Sequence, residues 1–104
     1  MKTFAFISSA LLLAGTLMAG SMTGWISDAA CSSGNAGAEA AKRDCAKRCI
    51  EGGEAPVFVD DRDSKVYKLV NAPSAKALLE RKVVVSGNVK GDTIEVTSID
   101  YVKK

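Results

Sequence analysis

Three cysteines, Cys31, Cys45 and Cys49, carry most of the chemistry that this sequence could perform, and their spacing is C-x13-C-x3-C. Residues 45 and 49 are one helical turn apart, so a helix there projects both thiols from one side. A regular helix sets those two side chains parallel, which suits a bridge between them poorly. Cys31 can reach either. The expected arrangement is therefore one disulfide, Cys31 to Cys45 or Cys31 to Cys49, with the third thiol buried under the helix. Closing a loop of this length stabilises a chain by about 3 kcal/mol. That is a large share for a small domain with a net stability of about 5–10 kcal/mol. The rival chemistry is a three-thiolate site for zinc or copper(I), with Asp28 or Asp44 as a fourth ligand. A further alternative is redox sensing or intermolecular pairing through the leftover thiol, which the odd count permits. Lys47 and Arg48 flank Cys49 and would favour its thiolate if they approach it.

The rest of the chain excludes more than it offers. Histidine is absent, which removes the commonest general acid/base and the commonest metal ligand and makes a Ser-His-Asp triad impossible. No nucleophile elbow surrounds any serine, so a non-enzymatic protein without a cofactor is expected. Asp60, Asp61 and Asp63 look like a fragment of a calcium loop, but the glycine and distant glutamate of that motif are missing, and a polar turn is expected instead. Lys and Arg number 14 against 12 Asp and Glu, for a formal charge of +2. That balance, with basic residues spread throughout, disfavours a nucleic-acid partner. Trp25 and Tyr67 are the candidate ligand-face residues, by analogy with sheets that stack bases or sugars. An unidentified protein or small ligand is the expected partner.

These residues need elements to position them. Residues 1–21 read as a secretory signal, with Lys2 at its start, an apolar run from Phe4 to Met18, and small residues at Ala19, Gly20 and Ser21. The run is short for a retained membrane span, and cleavage is expected after Ser21. The mature chain, 22–104, is then periplasmic or secreted, where cysteines tend to pair. It carries a first strand over Met22–Ser27, in which Gly24 marks a bulge or a close backbone approach. A loop follows to Gly37, then a helix over about 38–50 with Ala38, Ala41, Cys45 and Cys49 on one stripe, ended by Gly52-Gly53. Pro56–Asp60 and Lys65–Val70 form a hairpin. Asn71–Leu79 holds a turn and a short helical stretch that Ser74 could cap. Lys82–Val89 and Thr93–Val102 are the last strands, with a bulge near Thr97-Ser98 where the apolar parity changes. The expected fold is mostly β with one inserted helix: a small five-stranded OB-like barrel.

Gly24-Trp25-Ile26-Ser27-Asp28, Cys31, Cys45-Ala46-Lys47-Arg48-Cys49, Val66-Tyr67-Lys68-Leu69, Val83-Val84-Val85-Ser86-Gly87 and Ile94-Glu95-Val96 follow one another along the chain. This set resembles a family of small exported bacterial proteins with an OB-like barrel and no assigned function. The resemblance spans nearly all of residues 22–102. It implies an architecture and an export route, and no reaction. Relatives often place a histidine just before the second cysteine; here that stretch is Lys42-Arg43-Asp44.

Overall fold

Valines alternating with small polar residues make the strand Val83–Lys90, and its buried positions are Val83, Val85 and Gly87. The computed structural model describes residues 18–103 and arranges them around such strands. In chain order these are β1 (Met18–Asp28), β2 (Pro56–Asp60), β3 (Val66–Val70), β4 (Val83–Lys90) and β5 (Thr93–Tyr101). One helix, α1 (Ala40–Glu51), lies between β1 and β2. Short 3-10 turns occupy Ser32–Asn35 and Pro73–Ala77. The described residues are thus mostly β, with five strands in one sheet and one helix. The sheet closes in a ring in the order β1-β2-β3-β5-β4. Its neighbours are antiparallel except β3 and β5, which run parallel.

β1 is longer than the expected Met22–Ser27. Met18–Gly24 pair with β4, and Gly24–Asp28 pair with β2. The end of the expected signal, Met18 with the small residues Ala19, Gly20 and Ser21, is therefore part of the strand and supplies four of its pairings with β4; residues 1–17 lie outside the described residues. Gly24 is the joint, paired at once with Asp60 and Val83. A Cβ there would overlap the Val59 carbonyl oxygen and come within 2.9 Å of Phe58. The close approach expected at this glycine is what lets one strand serve two partners. The expected bulge is also present: the β4–β5 register shifts between Ser86 and Gly87, leaving Thr97 without a partner in the ladder.

Ile26, Phe58, Tyr67, Val83, Val85 and Ile94 fill the interior. Ala46 and Ile50 from α1 pack onto this cluster, as do Ala75 and Leu79 from the β3–β4 connection. This corrects the expected helix stripe. Ala41 is exposed and Cys45 and Cys49 are half-buried, while Ala46 and Ile50 go inside. Ile50 supplies the large apolar group that the cysteine stripe lacks, and its burial sets the rotation of the helix. The helix ends as expected at Gly52-Gly53, where the Gly52 N–H reaches Arg48 and Cys49 carbonyls and Gly53 takes φ +115°. The Pro73–Ala77 turn begins after Ala72 with no side-chain cap, so Ser74 does not serve as one.

Candidate functional site

The polar centre of the molecule lies where β1 ends and the chain turns toward α1. Asp28 continues the inward parity of Gly24 and Ile26 and is fully buried. Its Oδ2 accepts the Cys31 backbone N–H at 2.9 Å, and its Oδ1 accepts the Asn35 side-chain amide at 2.8 Å. The Ser27 hydroxyl, on the opposite face, donates to the Ser32 carbonyl at 2.6 Å. These bonds fold residues 28–35 back onto the strand end. Burial alone would raise the Asp28 pKa. Donation from Asn35, from the Cys31 and Asp28 backbone N–H groups and from the Cys49 thiol outweighs it and holds the carboxyl below its ordinary value of 3.8. The donors are all neutral, and no salt bridge reaches Asp28 among the described residues.

The three cysteines lie on the turn and the helix that follow this carboxylate. Cys31 is exposed at the start of the Ser32–Asn35 turn, and Cys45 and Cys49 are half-buried on α1. The Asp28 charge, followed by burial and the neighbouring Cys45, pushes the Cys31 thiol up. Burial first, then Asp28 and Cys45, pushes Cys49 up as well. Lys47 and Arg48 are exposed, and neither offsets the burial and the Asp28 charge that raise Cys49. Cys31 and Cys49 are therefore thiols at neutral pH.

The expected bridge is not made in this structure. All three cysteines are free, and Cys45 and Cys49 are 4.4 Å apart. Their parallel projection from one helix keeps that pair beyond bonding distance. None of the three is buried under the helix as the leftover thiol was expected to be, because Ala46 and Ile50 hold that position. Asp44 stands exposed on α1. Among the described residues, no group of three or more His, Cys, Asp or Glu side chains is arranged to hold a metal ion.

Trp25 and Tyr67 do not form a common face. Trp25 pairs with Val59 and is half-buried on the outer side, with the Lys82 ammonium 5.9 Å from its ring centroid. Lys82 is itself tied to Asp61 at 3.0 Å. Tyr67 is buried, opposite Phe58 with ring centroids 6.3 Å apart. The alternation along β1 and β3 allows either orientation; the ring closure assigns Tyr67 to the core.

Asn35, and the pairing of Asp60 with Arg62, are polar features beyond the polar turn expected at Asp60, Asp61 and Asp63. Asp60 is 1% exposed. It accepts Arg62 Nη2 at 2.8 Å, Nε at 3.1 Å and the backbone N–H at 2.9 Å. The hydrogen-bonded guanidinium outweighs burial and holds the Asp60 carboxyl below its ordinary value. The aspartate turn expected here is thus an arginine clamp. Its local signal was an Asp two residues before an Arg at the end of a strand of valines, a pattern that permits an Asx-type turn.

No protein-family model matches the chain, and no curated protein or solved structure is similar to it at a significant level. Among the described residues the fold is a five-stranded sheet closed in a ring, with one helix between its first two strands. Among the described residues, no helix is long and apolar enough to cross a membrane.

Proposed function

We propose that this chain is an exported, non-enzymatic interaction module, an OB-like barrel whose helical insertion is clasped to the end of β1 by one disulfide from Cys31. The observation that carries the reading is the placement of the three free cysteines, Cys31 on the turn that follows the buried Asp28 and Cys45 and Cys49 on α1, with the Asp28 charge holding Cys31, and burial holding Cys49, in the thiol form. Such thiols suit a structural bond better than nucleophilic or redox catalysis. The strand order β1-β2-β3-β5-β4 supports an OB-type plan, with α1 as an insertion in the first connection.

The partner is a protein in this reading. The cleft lined by Val70, Asn88, Lys90, Thr93 and Glu95 holds ≈ 170 Å³, and a shallower depression along Gly20, Ser21, Ser86, Gly87, Asn88 and Thr97 holds ≈ 320 Å³ and lies open to solvent, so neither encloses a small molecule as pockets of roughly 300–1,000 Å³ do. Val70 is the exposed large hydrophobic residue beside the cleft, 41% accessible. Lys82 over the Trp25 ring leaves that aromatic poorly placed to stack a base.

The test is a native mass spectrum of the protein from the periplasmic fraction of a bacterial host expressing the full chain, with and without alkylation. The expected species begins at Met22, carries one disulfide and one alkylated thiol, and holds no metal. A precursor retained in the membrane fraction would overturn the export reading. Stoichiometric zinc or copper lost on Cys31→Ser would replace the disulfide reading with the three-thiolate one.

A further inference from the structure

We infer that signal removal uncovers a docking edge on β4 at Ser86–Val89, and that its partner is the C-terminal tail of another protein, added as an extended strand that ends in a free carboxylate. The inference rests on the export reading above and names the place and the chemistry of the protein partner. Met18, Ala19, Gly20 and Ser21 of β1 stand opposite Val89, Asn88, Gly87 and Ser86 of β4. β2 joins β1 only from Gly24 onward, so among the described strands this stretch pairs with β4 alone. Gly20 and Ser21 are exposed, and the Ser21 hydroxyl lies 2.8 Å from that of Ser86.

Signal cleavage hydrolyses the Ser21–Met22 amide. One water is consumed, Ser21 leaves with a carboxylate, and Met22 keeps an α-ammonium. The shortened β1 still closes the ring, through Met22, Thr23 and Gly24 against Val85, Val84 and Val83. Ser86–Val89 lose their β1 partner and stay paired with β5 on the other side. Every second residue there then presents an unmatched N–H and C=O. Such an edge templates strand addition unless charge or proline blunts it, and Ser86-Gly87-Asn88-Val89 contains neither. The path of residues 18–21 sets the occupant. A Cβ at Gly20 meets nothing within 4 Å, so side chains other than glycine fit opposite Gly87. A strand on this path runs antiparallel to β4 and stops against the Met22 ammonium. A terminal carboxylate there pairs with that ammonium and restores by attraction the junction that hydrolysis broke. An internal segment of a partner would have to continue through Met22, where β1 itself stands in the way.

The processed protein is purified, isotope-labelled, from the periplasmic fraction of a host expressing the full chain, and native mass gives its N-terminus and its state of assembly. It is then titrated with the acetylated peptide Leu17–Ser21 carrying a free C-terminal carboxylate, and the backbone amides are followed by NMR. The expected chain begins at Met22, exchanges its Ser86–Val89 amides rapidly when alone, and shifts those amides on titration. Amidating the peptide's carboxylate should weaken binding about tenfold, the equivalent of one charge-assisted hydrogen bond. N-methylation at both Ala19 and Gly20 of the peptide should abolish binding, because one of two adjacent N–H groups faces β4. No shift at Ser86–Val89 with millimolar peptide, in a chain that begins at Met22, overturns the inference and leaves the export reading standing. Equal affinities of the acid and amide peptides, or binding that survives N-methylation, also overturn it. So does a native mass of two chains, or of one chain plus residues 1–21, with Ser86–Val89 protected from exchange, which makes the occupant a second copy or the released signal. A chain still joined to residues 1–21 in the membrane fraction overturns the export reading and the inference together.

Discussion

Asp28 and Asp60 are both buried carboxylates on the β1–β2 pair, at opposite ends of its register, and they are satisfied by different means. Asp60 is held by Arg62, whose side chain is 73% exposed, so its charge is balanced by a cation in contact with water. Asp28 is held by an amide and a backbone N–H, so its charge is solvated by dipoles and not neutralised. The first end is a locally closed hairpin, built within three residues of sequence. The second gathers residues from β1, the following turn and α1. The difference teaches that a buried charge can be either a local turn device or the organiser of a distant insertion. Only the second arrangement makes neighbouring chemistry, here the thiols, depend on it.

The strongest way to break this contrast is to truncate each carboxylate. Asp28→Ala leaves the Asn35 amide and the Cys31 N–H facing each other across a buried gap, and about 3 kcal/mol of stability should be lost. Asp60→Ala returns the Arg62 guanidinium to solvent, so the loss should be nearer 1–2 kcal/mol. Urea denaturation of both variants in reducing buffer checks this; equal losses would erase the distinction.

Acid and salt sharpen it further. Both carboxyls sit below 3.8 in the folded chain. Their stabilisation is therefore complete above about pH 4 and is lost as the pH falls through the depressed folded values. Concentrated salt screens the exposed Arg62 partner but not the neutral donors around Asp28. Carboxyl-carbon NMR titrations should show the Asp60 pKa climbing toward its ordinary value in about 1 M NaCl, with Asp28 moving less. The reverse order would mean that Asp28 has an unrecognised cationic partner. The smallest effect belongs to the hairpin beside Asp60, where Ser64 adopts φ 62°. Ser64→Gly removes the left-handed penalty of an L-residue and should raise stability by up to about 1 kcal/mol, visible as a higher urea midpoint. A fall in the midpoint would show that the Ser64 backbone is not strained.

Much of this architecture was legible before any coordinates. The alternation of Val83, Val85 and Gly87 marked β4, the parity change between Val96 and Ile99 marked the bulge, and Gly24 marked the backbone contact that bends β1. The candidate site was legible only as a list. Cys31, Cys45, Cys49 and Asp28 were all named, but Asp28 entered as a metal ligand and not as a carboxylate satisfied by Asn35. A cysteine stripe at helical spacing looked like the buried face of α1, because the periodicity of small residues does not reveal that Ile50 outcompetes them for the core. Tyr67 shared the aromatic composition of Trp25 and not its environment.

The sequence by itself determined which segments are strand, helix and turn, since those follow from side-chain period and from the glycines, prolines and small polar residues between them. Only the tertiary structure decided which parity of β3 faces inward, which residues of α1 are buried, and that the Asn35 amide meets a carboxylate from the first strand. Those outcomes depend on closing a ring through pairings such as Gly24 with Val83. Contacts between residues so far apart along the chain are not encoded in the period of any one segment.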